Sequence, residues 1–210
     1  MMAKMYTLRT KLFGKGINDA DYVVEIRPQV NGKRPGTGWK CPYYSKWFSM
    51  LNRCYGKAYK KRNPTYKGCY VCKEWLTFTV FKEWMKKQNW KDKALDKDIL
   101  VYENKKYSPE TCIFISQQLN NLLCEQRSRR GKSGLIGVSF HRNRYVANIS
   151  INGKKKHIAQ FKTPEEASQA YKRARSEYLL EWSNNLTSED TSDIERTKEA
   201  LIRHAGLLLG

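Results

Sequence analysis

The feature that most constrains the fold of this 210-residue sequence is a run of strand-like segments that leads into a capped helix, between residues 135 and 182. The segments 135–140, 144–151 and 155–161 alternate in strand fashion, and Asn152-Gly153 is a strong signal for a two-residue hairpin turn. Thr163 and Glu166 have the spacing of a capping box, with Pro164 at the first helical position. The pattern predicts a three-stranded antiparallel sheet packed on one helix, whose inner face is Ala167, Ala170, Tyr171, Ala174, Tyr178 and Trp182.

The net charge indicates what such a chain binds. Lys and Arg number 40 against 20 Asp and Glu, which gives a formal charge of +20 and a pI near 9.7. Repulsion on this scale destabilises a compact state unless an anionic partner offsets it. The sequence has neither a basic amphipathic helix with a broad apolar face nor a lipidation signal, so we expect no membrane partner. The Lys and Arg residues are spread among aromatic residues and loops, which indicates nucleic acid as the anionic partner.

The amino-terminal part has a different pattern, that of an α+β domain. Tyr44, Trp47, Leu51 and Cys54 have helical spacing and predict a helix over 42–55. Thr77 is predicted to cap a helix through 87, and Ser116 a helix through 124. Strands are expected at 70–75, 95–102 and 112–115. The predicted organisation is therefore a basic segment over 1–41, a domain over 42–125, a linker over 126–134, the sheet domain over 135–182, and a hinge with a carboxy-terminal helix over 183–210.

The terminal segment carries net negative charge, so we do not expect it to touch DNA. Ser192 and Glu195 have capping-box spacing, and Ile194, Leu201 and Leu208 form one stripe of the helix that follows. The stripe either packs on its own chain or forms a homodimer.

The sheet domain resembles a known family. The residues that carry the likeness are Gly137-Val138-Ser139-Phe140, Arg144-Tyr145-Val146-Ala147-Asn148-Ile149, Ile158-Ala159-Gln160-Phe161 and Thr163-Pro164-Glu165-Glu166-Ala167. They resemble the APETALA or ethylene-response-factor type of DNA-binding domain. The resemblance implies that the sheet lies in the major groove of double-stranded DNA, with alternate strand side chains reaching bases and phosphates. The candidate contacts are Ser139, His141, Arg142, Arg144, Asn148, Ser150, Lys154 and Lys156.

A second resemblance covers residues 42–123. It rests on Trp47 to Tyr55, Val71-Cys72-Lys73-Glu74-Trp75, Leu95-Asp96-Lys97-Asp98-Ile99 and Tyr107-Ser108-Pro109-Glu110-Thr111-Cys112. These segments are similar to phage homing endonucleases of the HNH type, which implies a ββα fold that holds one divalent ion beside a scissile phosphate. By this resemblance Asp96 and Asp98 are the candidate catalytic residues, and Asp96, Asp98 and Asn104 the candidate Mg²⁺ ligands.

The sequence departs from the HNH pattern at one decisive position. The family places a general-base histidine at the end of its first strand, and this chain has Lys97 there. Its three histidines, His141, His157 and His204, lie outside residues 42–125. The nuclease site is therefore predicted to be degenerate, with Mg²⁺ as cofactor only if cleavage survives.

Cys69 and Cys72 form a lone C-x-x-C pair, which is a weak zinc signal. Because the first residues lack the apolar segment of a signal peptide, the chain is expected to be intracellular, in the cytoplasm of a bacterial host if phage-encoded, with reduced thiols. We predict buried thiols and no zinc.

Three functions follow from the sequence. The leading prediction is a double-stranded DNA-binding protein of the phage HNH homing-endonuclease type whose nuclease site has degenerated. The first alternative is an active Mg²⁺-dependent, site-specific homing endonuclease. The second is a basic RNA-binding or ribosome-associated protein.

Overall fold

A computed structural model describes residues 11–26, 38–128, 134–151 and 153–210, with the side chains of 124–128 left out. Asn152, residues 1–10 and 27–37 of the predicted basic segment, and residues 129–133 of the predicted linker lie outside the described residues. The described chain has the following α-helices and strands: α1 Pro42–Tyr55, α2 Lys57–Arg62, β1 Tyr70–Val71, α3 Phe78–Lys86, β2 Ala94–Asp96, β3 Lys106–Tyr107, β4 Ile113–Ile115, α4 Gln117–Ser128, β5 Val138–His141, β6 Arg144–Ile151, β7 Lys154–Phe161, α5 Pro164–Asn184 and α6 Ile194–Leu209.

The chain forms two compact units, and each is built from separated stretches of sequence. The first unit contains the residues up to 90 together with 103–112, and the second contains 91–102 together with 113–210. The division expected from the sequence was continuous along the chain, and those boundaries stay a prediction.

The first unit is organised around buried aromatic side chains. The predicted helix over 42–55 is confirmed as α1, and its residues Tyr44, Trp47 and Leu51 are buried. The indole of Trp47 donates a hydrogen bond to the backbone carbonyl of Trp75 at 2.8 Å. α3 follows Thr77 and buries Phe78, Phe81 and Met85, but the predicted cap is wrong, because the Thr77 side chain makes no capping hydrogen bond. β1 and β3 pair in parallel in this unit.

Two predicted strands are shorter than expected. The strand predicted over 70–75 stops at Val71 and is followed by a 3₁₀ turn at Glu74–Leu76. The strand predicted over 95–102 stops at Asp96, because the carboxylate of Asp96 accepts hydrogen bonds from the backbone N–H groups of Asp98 and Ile99. A side chain that binds the following backbone in this way favours a turn over continued strand pairing.

The sheet of the second unit agrees with the prediction. β5, β6 and β7 pair antiparallel in that order, and Ile151 lies opposite Lys154, which leaves two residues for the turn. Gly153 in this turn has a φ of +74°, a conformation that glycine adopts without steric cost. The capping box that opens α5 is present in both directions between Thr163 and Glu166.

The core of the second unit joins elements that are far apart in sequence. Buried residues from three regions contribute: Ile99, Leu100, Ile113, Ile115, Leu119 and Leu122 from before the sheet, Val138, Ala147, Ile149, Ala167, Tyr171, Tyr178 and Leu179 from the sheet and α5, and Ala200, Leu201 and Ala205 from α6. The segment before α6 also bonds to β4, since Ser192 N–H donates to the Phe114 carbonyl at 2.8 Å. The sheet and α5 therefore share one core with the segments on either side.

α6 begins differently from the prediction. Its cap is Asp193, whose side chain accepts a hydrogen bond from Arg196 N–H at 3.1 Å. Ser192 does not cap the helix, because its hydroxyl accepts from Phe114 N–H at 3.2 Å. The predicted stripe divides: Leu201 is fully buried, whereas Ile194 is exposed.

The observed class is mixed α and β, with a three-stranded antiparallel sheet, a helix packed on it and a further carboxy-terminal helix. The HNH-like domain expected over 42–125 is not confirmed, and its residues divide between the two units. β2 pairs with β4 in the second unit, while β3, which lies between them in sequence, belongs to the first. None of the helices in the described part of the chain combines the length and the apolarity that crossing a bilayer requires.

Candidate nucleic-acid interface

One face of the three-stranded sheet is mostly polar and lies outside the hydrophobic cluster of the second unit, although its one apolar member, Val146, is buried. Residues directly opposite one another in an antiparallel pair point to the same face, and successive residues alternate. Val138 and Ala147 face the core with α5, so the register places their sequence neighbours on the other side. This outer face carries Ser139, His141, Arg144, Val146, Asn148, Ser150, Lys155, His157 and Gln160. The Asn148 side chain donates to the Ser139 hydroxyl at 3.3 Å, which agrees with their common face.

The register places two of the candidate contact residues on the face opposite to the one expected. Lys154 lies opposite Ile151 and Lys156 lies opposite Ile149, so both lysines belong to the core side of the sheet. The physical reason is the two-residue turn, which fixes the residues of β7 that lie opposite those of β6 and so the face to which each β7 side chain points. Lys155 and His157 occupy the outer face instead. The turn signal could have shown this, since it already pairs residue 151 with residue 154.

A bulge in β7 completes the outer face. The pairing shifts between Ala147 and Asn148, so that Ala147 pairs with Ala159 and Asn148 with His157. The extra residue is Ile158, which packs against the core. Gln160 is thereby placed on the outer face and Phe161 on the core side. Nothing in the local sequence pattern marks this bulge, because a bulge depends on pairing across strands.

Arg142 lies at the tip of the β5–β6 hairpin and not on the face itself. Arg142 and Asn143 both have positive φ, +48° and +60°, as a type I′ turn requires. Asparagine tolerates this conformation, whereas arginine carries a steric cost there. The hairpin tip therefore exposes the Arg142 side chain, although glycine would adopt this backbone conformation more easily.

The outer face and its hairpin tips carry positive charge and no negative charge. No Asp or Glu occurs between Glu125 and Glu165, while Arg142, Arg144 and the three lysines 154–156 fall within that interval. In the described structure neither Arg144 nor Lys155 has a carboxylate within ion-pair distance. Both side chains are exposed, so their charges are available to an anionic partner.

The sheet packs closely on α5 beneath this face. Gly137, just before β5, has a φ of +74°, and a Cβ at this position would come within 2.1 Å of the Tyr171 ring. The strand can approach the helix this closely only with glycine.

The predicted Mg²⁺ ligands are each engaged locally. One Asp96 oxygen accepts the backbone N–H groups of Asp98 and Ile99, both at 2.7 Å. Asp98 is bound by the ammonium of Lys97 at 2.5 Å. The Asn104 side chain both accepts from and donates to the backbone of Lys106. Asp96 and Asp98 belong to the second unit and Asn104 to the first.

The Asp96 carboxyl lies close to the carboxylate of Asp98. Desolvation by burial raises the pKa of the Asp96 carboxyl, and the neighbouring charge of Asp98 raises it further. Among the residues that the structure describes, no group of three or more His, Cys, Asp or Glu side chains has the geometry to hold a metal ion. Lys97, at the position of the family's general base, is buried and directed at Asp98.

Cys69 and Cys72 are both buried. Desolvation raises the pKa of the Cys72 thiol. The thiolate that metal binding requires is therefore disfavoured in this environment.

Comparison with known proteins finds no family, no curated protein and no solved structure that matches this chain. The two resemblances in sequence therefore stay predictions.

Proposed function

We propose that this chain binds double-stranded DNA through the outer face of its three-stranded sheet, and that it does so without cleaving it. The observation that carries the proposal is the register of β5, β6 and β7. It brings His141, Arg144, Asn148 and Lys155 onto one exposed face that carries no acidic residue.

The chemistry of this face suits a duplex. A two-stranded ribbon fits the major groove of B-DNA, where arginine can pair bidentately with guanine and asparagine with adenine. Lysine contributes phosphate contacts that position the protein without reading sequence. Arg144 and Asn148 are therefore the candidates for base recognition, and Lys155 is the candidate for a phosphate contact. The resemblance of residues 134–182 to the APETALA type of domain supports the same use of the sheet.

The absence of cleavage is proposed from the local bonding of the residues that would carry it. The Asp96 carboxylate caps a turn and Asp98 is bound by Lys97. By the HNH resemblance, Lys97 replaces the histidine that activates water. Loss of a positioned general base costs about 10²–10⁴-fold in rate, so wild-type protein with Mg²⁺ should leave a bound duplex uncut.

The proposal is tested by comparing neighbouring lysines on opposite faces of β7. In the full-length protein, Lys155→Gln should weaken duplex binding more than Lys156→Gln, although both remove one charge from adjacent exposed positions. Arg144→Ala should cost about 1–3 kcal/mol of binding free energy if the guanidinium reads a base. The measurement is a fluorescence titration against a pool of random duplexes, and then against a duplex selected from that pool.

Two outcomes would contradict the proposal. Equal effects of Lys155→Gln and Lys156→Gln would show that total charge governs binding and that the face does not. Mg²⁺-dependent nicking of the selected duplex, abolished by Asp96→Ala, would favour the endonuclease alternative.

A further inference from the structure

The first unit carries a second concentration of positive charge, in a short helix and the turn after it. We call residues 57–67 the basic helix–turn; it contains α2 and the 3₁₀ turn Pro64–Tyr66. No Asp or Glu occurs between Glu25 and Glu74, so the sequence supplies no acidic neighbour to this segment over a long stretch. α2 buries none of its residues.

The lysines of α2 share one side of the helix. Lys57, Lys60 and Lys61 have the spacing i, i+3 and i+4, which places their side chains together. Tyr59 lies on the other side, where its ring meets that of Tyr66 edge-on, with centroids 5.5 Å apart. The aromatic pair therefore anchors the helix and leaves the three ammonium groups facing away from that pair.

The turn that follows the helix is held by its own hydrogen bonds. The Asn63 side chain donates to the Tyr59 carbonyl at 3.1 Å, and Lys105 donates to the Thr65 carbonyl at 3.2 Å. The guanidinium of Arg53 lies 6.0 Å from the centre of the Tyr66 ring. The lysine side of α2 is thus presented from a segment that is held at the carboxy-terminal end of the helix and in the turn that follows it.

The three lysines of α2 repel one another. Like charges at i, i+3 and i, i+4 are destabilising, and the helix dipole disfavours Lys57 in the first turn but favours Lys60 and Lys61 in the last. Lys57 is in the first turn, which contains no acidic residue. In the described structure none of these three lysines has a carboxylate partner. An anionic partner would offset this repulsion.

We infer that the lysine side of the basic helix–turn binds the phosphate backbone of double-stranded DNA, as a surface additional to the outer sheet face. The inference rests on the proposed DNA binding and names a second surface for it. Three ammonium groups on one helical turn fit adjacent phosphates of a backbone strand, whose charges recur at short intervals. Nothing in this surface reads base edges, so its contribution is independent of sequence.

The test is the salt dependence of binding by the full-length chain. The variant Lys57→Gln/Lys60→Gln/Lys61→Gln should reduce the slope of log affinity against log salt by about 0.9 for each phosphate that the variant no longer neutralises. Affinity at low salt should fall at least tenfold, and equally for selected and random duplexes. The matched control, Lys86→Gln/Lys87→Gln/Lys91→Gln, removes the same charge elsewhere and should keep the wild-type slope. Lys57→Arg/Lys60→Arg/Lys61→Arg should also keep it, and circular dichroism establishes that each variant folds.

The outcomes separate this inference from the proposed function. If wild-type protein binds no duplex, both fall. If Arg144→Ala weakens binding while the α2 triple variant keeps the wild-type slope, the sheet proposal stands and the inference is wrong. Equal slope changes in the triple variant and its control would also overturn the inference, because they would show an effect of net charge alone. Stronger competition by structured RNA than by duplex DNA would overturn the assignment of the partner.

Discussion

The Asp96 carboxylate accepts two backbone N–H groups at 2.7 Å, and this bonding ends β2. The same residue was a candidate catalytic and Mg²⁺-binding group by resemblance. A carboxylate two residues before the N–H group it binds forms a local turn whatever its wider surroundings. The spacing Asp-Lys-Asp is compatible with both uses, so the sequence alone could not separate them.

The pH dependence of the stability of Asp96 variants distinguishes the turn-forming role of Asp96 from a role in binding Mg²⁺. Because the pKa of Asp96 is raised in the folded protein, its protonated form favours folding, and that stability is lost as the pH rises from the ordinary aspartate pKa through the raised value. Asp96→Asn keeps an acceptor oxygen and removes the charge. We expect it to be at least as stable as wild type at pH 7, with the advantage vanishing near pH ~3, below the ordinary aspartate pKa. Urea unfolding across this range measures the difference.

Asp96→Ala is the control for the hydrogen bonds. It should be less stable than Asp96→Asn by about 1–3 kcal/mol, since two backbone donors lose their acceptor. If Asp96→Asn instead destabilises the protein at pH 7, the charge itself is needed, and a role in binding a cation would be supported.

At the scale of elements, α5 is the helix whose beginning the sequence defines best. Its capping box joins Thr163 and Glu166 through hydrogen bonds of 3.3 and 3.2 Å. Pro164 begins the helix, as its fixed φ favours. All of these signals are local, and for this reason the prediction from sequence was accurate here. The strand predicted over 95–102 was wrong beyond Asp96, because the hydrogen bonds from the backbone to the Asp96 carboxylate competed with strand pairing.

Thr163→Ala should lower the free energy of unfolding by about 1 kcal/mol, because the N–H of Glu166 loses its acceptor. Thr163→Ser keeps the hydroxyl and should behave as wild type. Chemical denaturation followed by circular dichroism measures both variants. Equal stability of the alanine and serine variants would mean that the cap contributes nothing in this context.

At the scale of the whole chain, the sheet domain predicted over 135–182 does not bury its core by itself. Ile99 and Leu100 from before β3, Leu119 from α4 and Leu201 from α6 belong to the same cluster as the buried residues of the sheet and α5. A fragment limited to 131–183 would expose the surface of α5 that α6 covers. The homodimer through α6 stays a prediction, and the helix already packs on its own chain through Ala200, Leu201 and Ala205.

Leu201 and Leu209 on α6 provide a matched pair for this packing. Leu201 is fully buried and Leu209 is 61 % exposed. Leu201→Ala should destabilise the protein by about 2–5 kcal/mol through reduced burial and the cavity left behind. Leu209→Ala should change the unfolding free energy of the monomer little. If Leu209→Ala lowers stability and the loss depends on protein concentration, α6 forms the homodimer. Sedimentation analysis of both variants would then show a change in oligomeric state.

The sequence by itself determined the elements whose signals are local: α1 from its apolar spacing, α5 from its capping box, and the β6–β7 hairpin from its turn residues. It also determined the excess of positive charge, which is a property of composition. Only the tertiary structure decided that residues 91–102 and 113–123 contribute to the core beneath the sheet, that a bulge at Ile158 brings Gln160 onto the outer face, and that Asp96 caps a turn. These features depend on pairing and packing between residues distant in the chain, or on competition between a side chain and the sheet, which a periodicity of two or 3.6 residues does not encode.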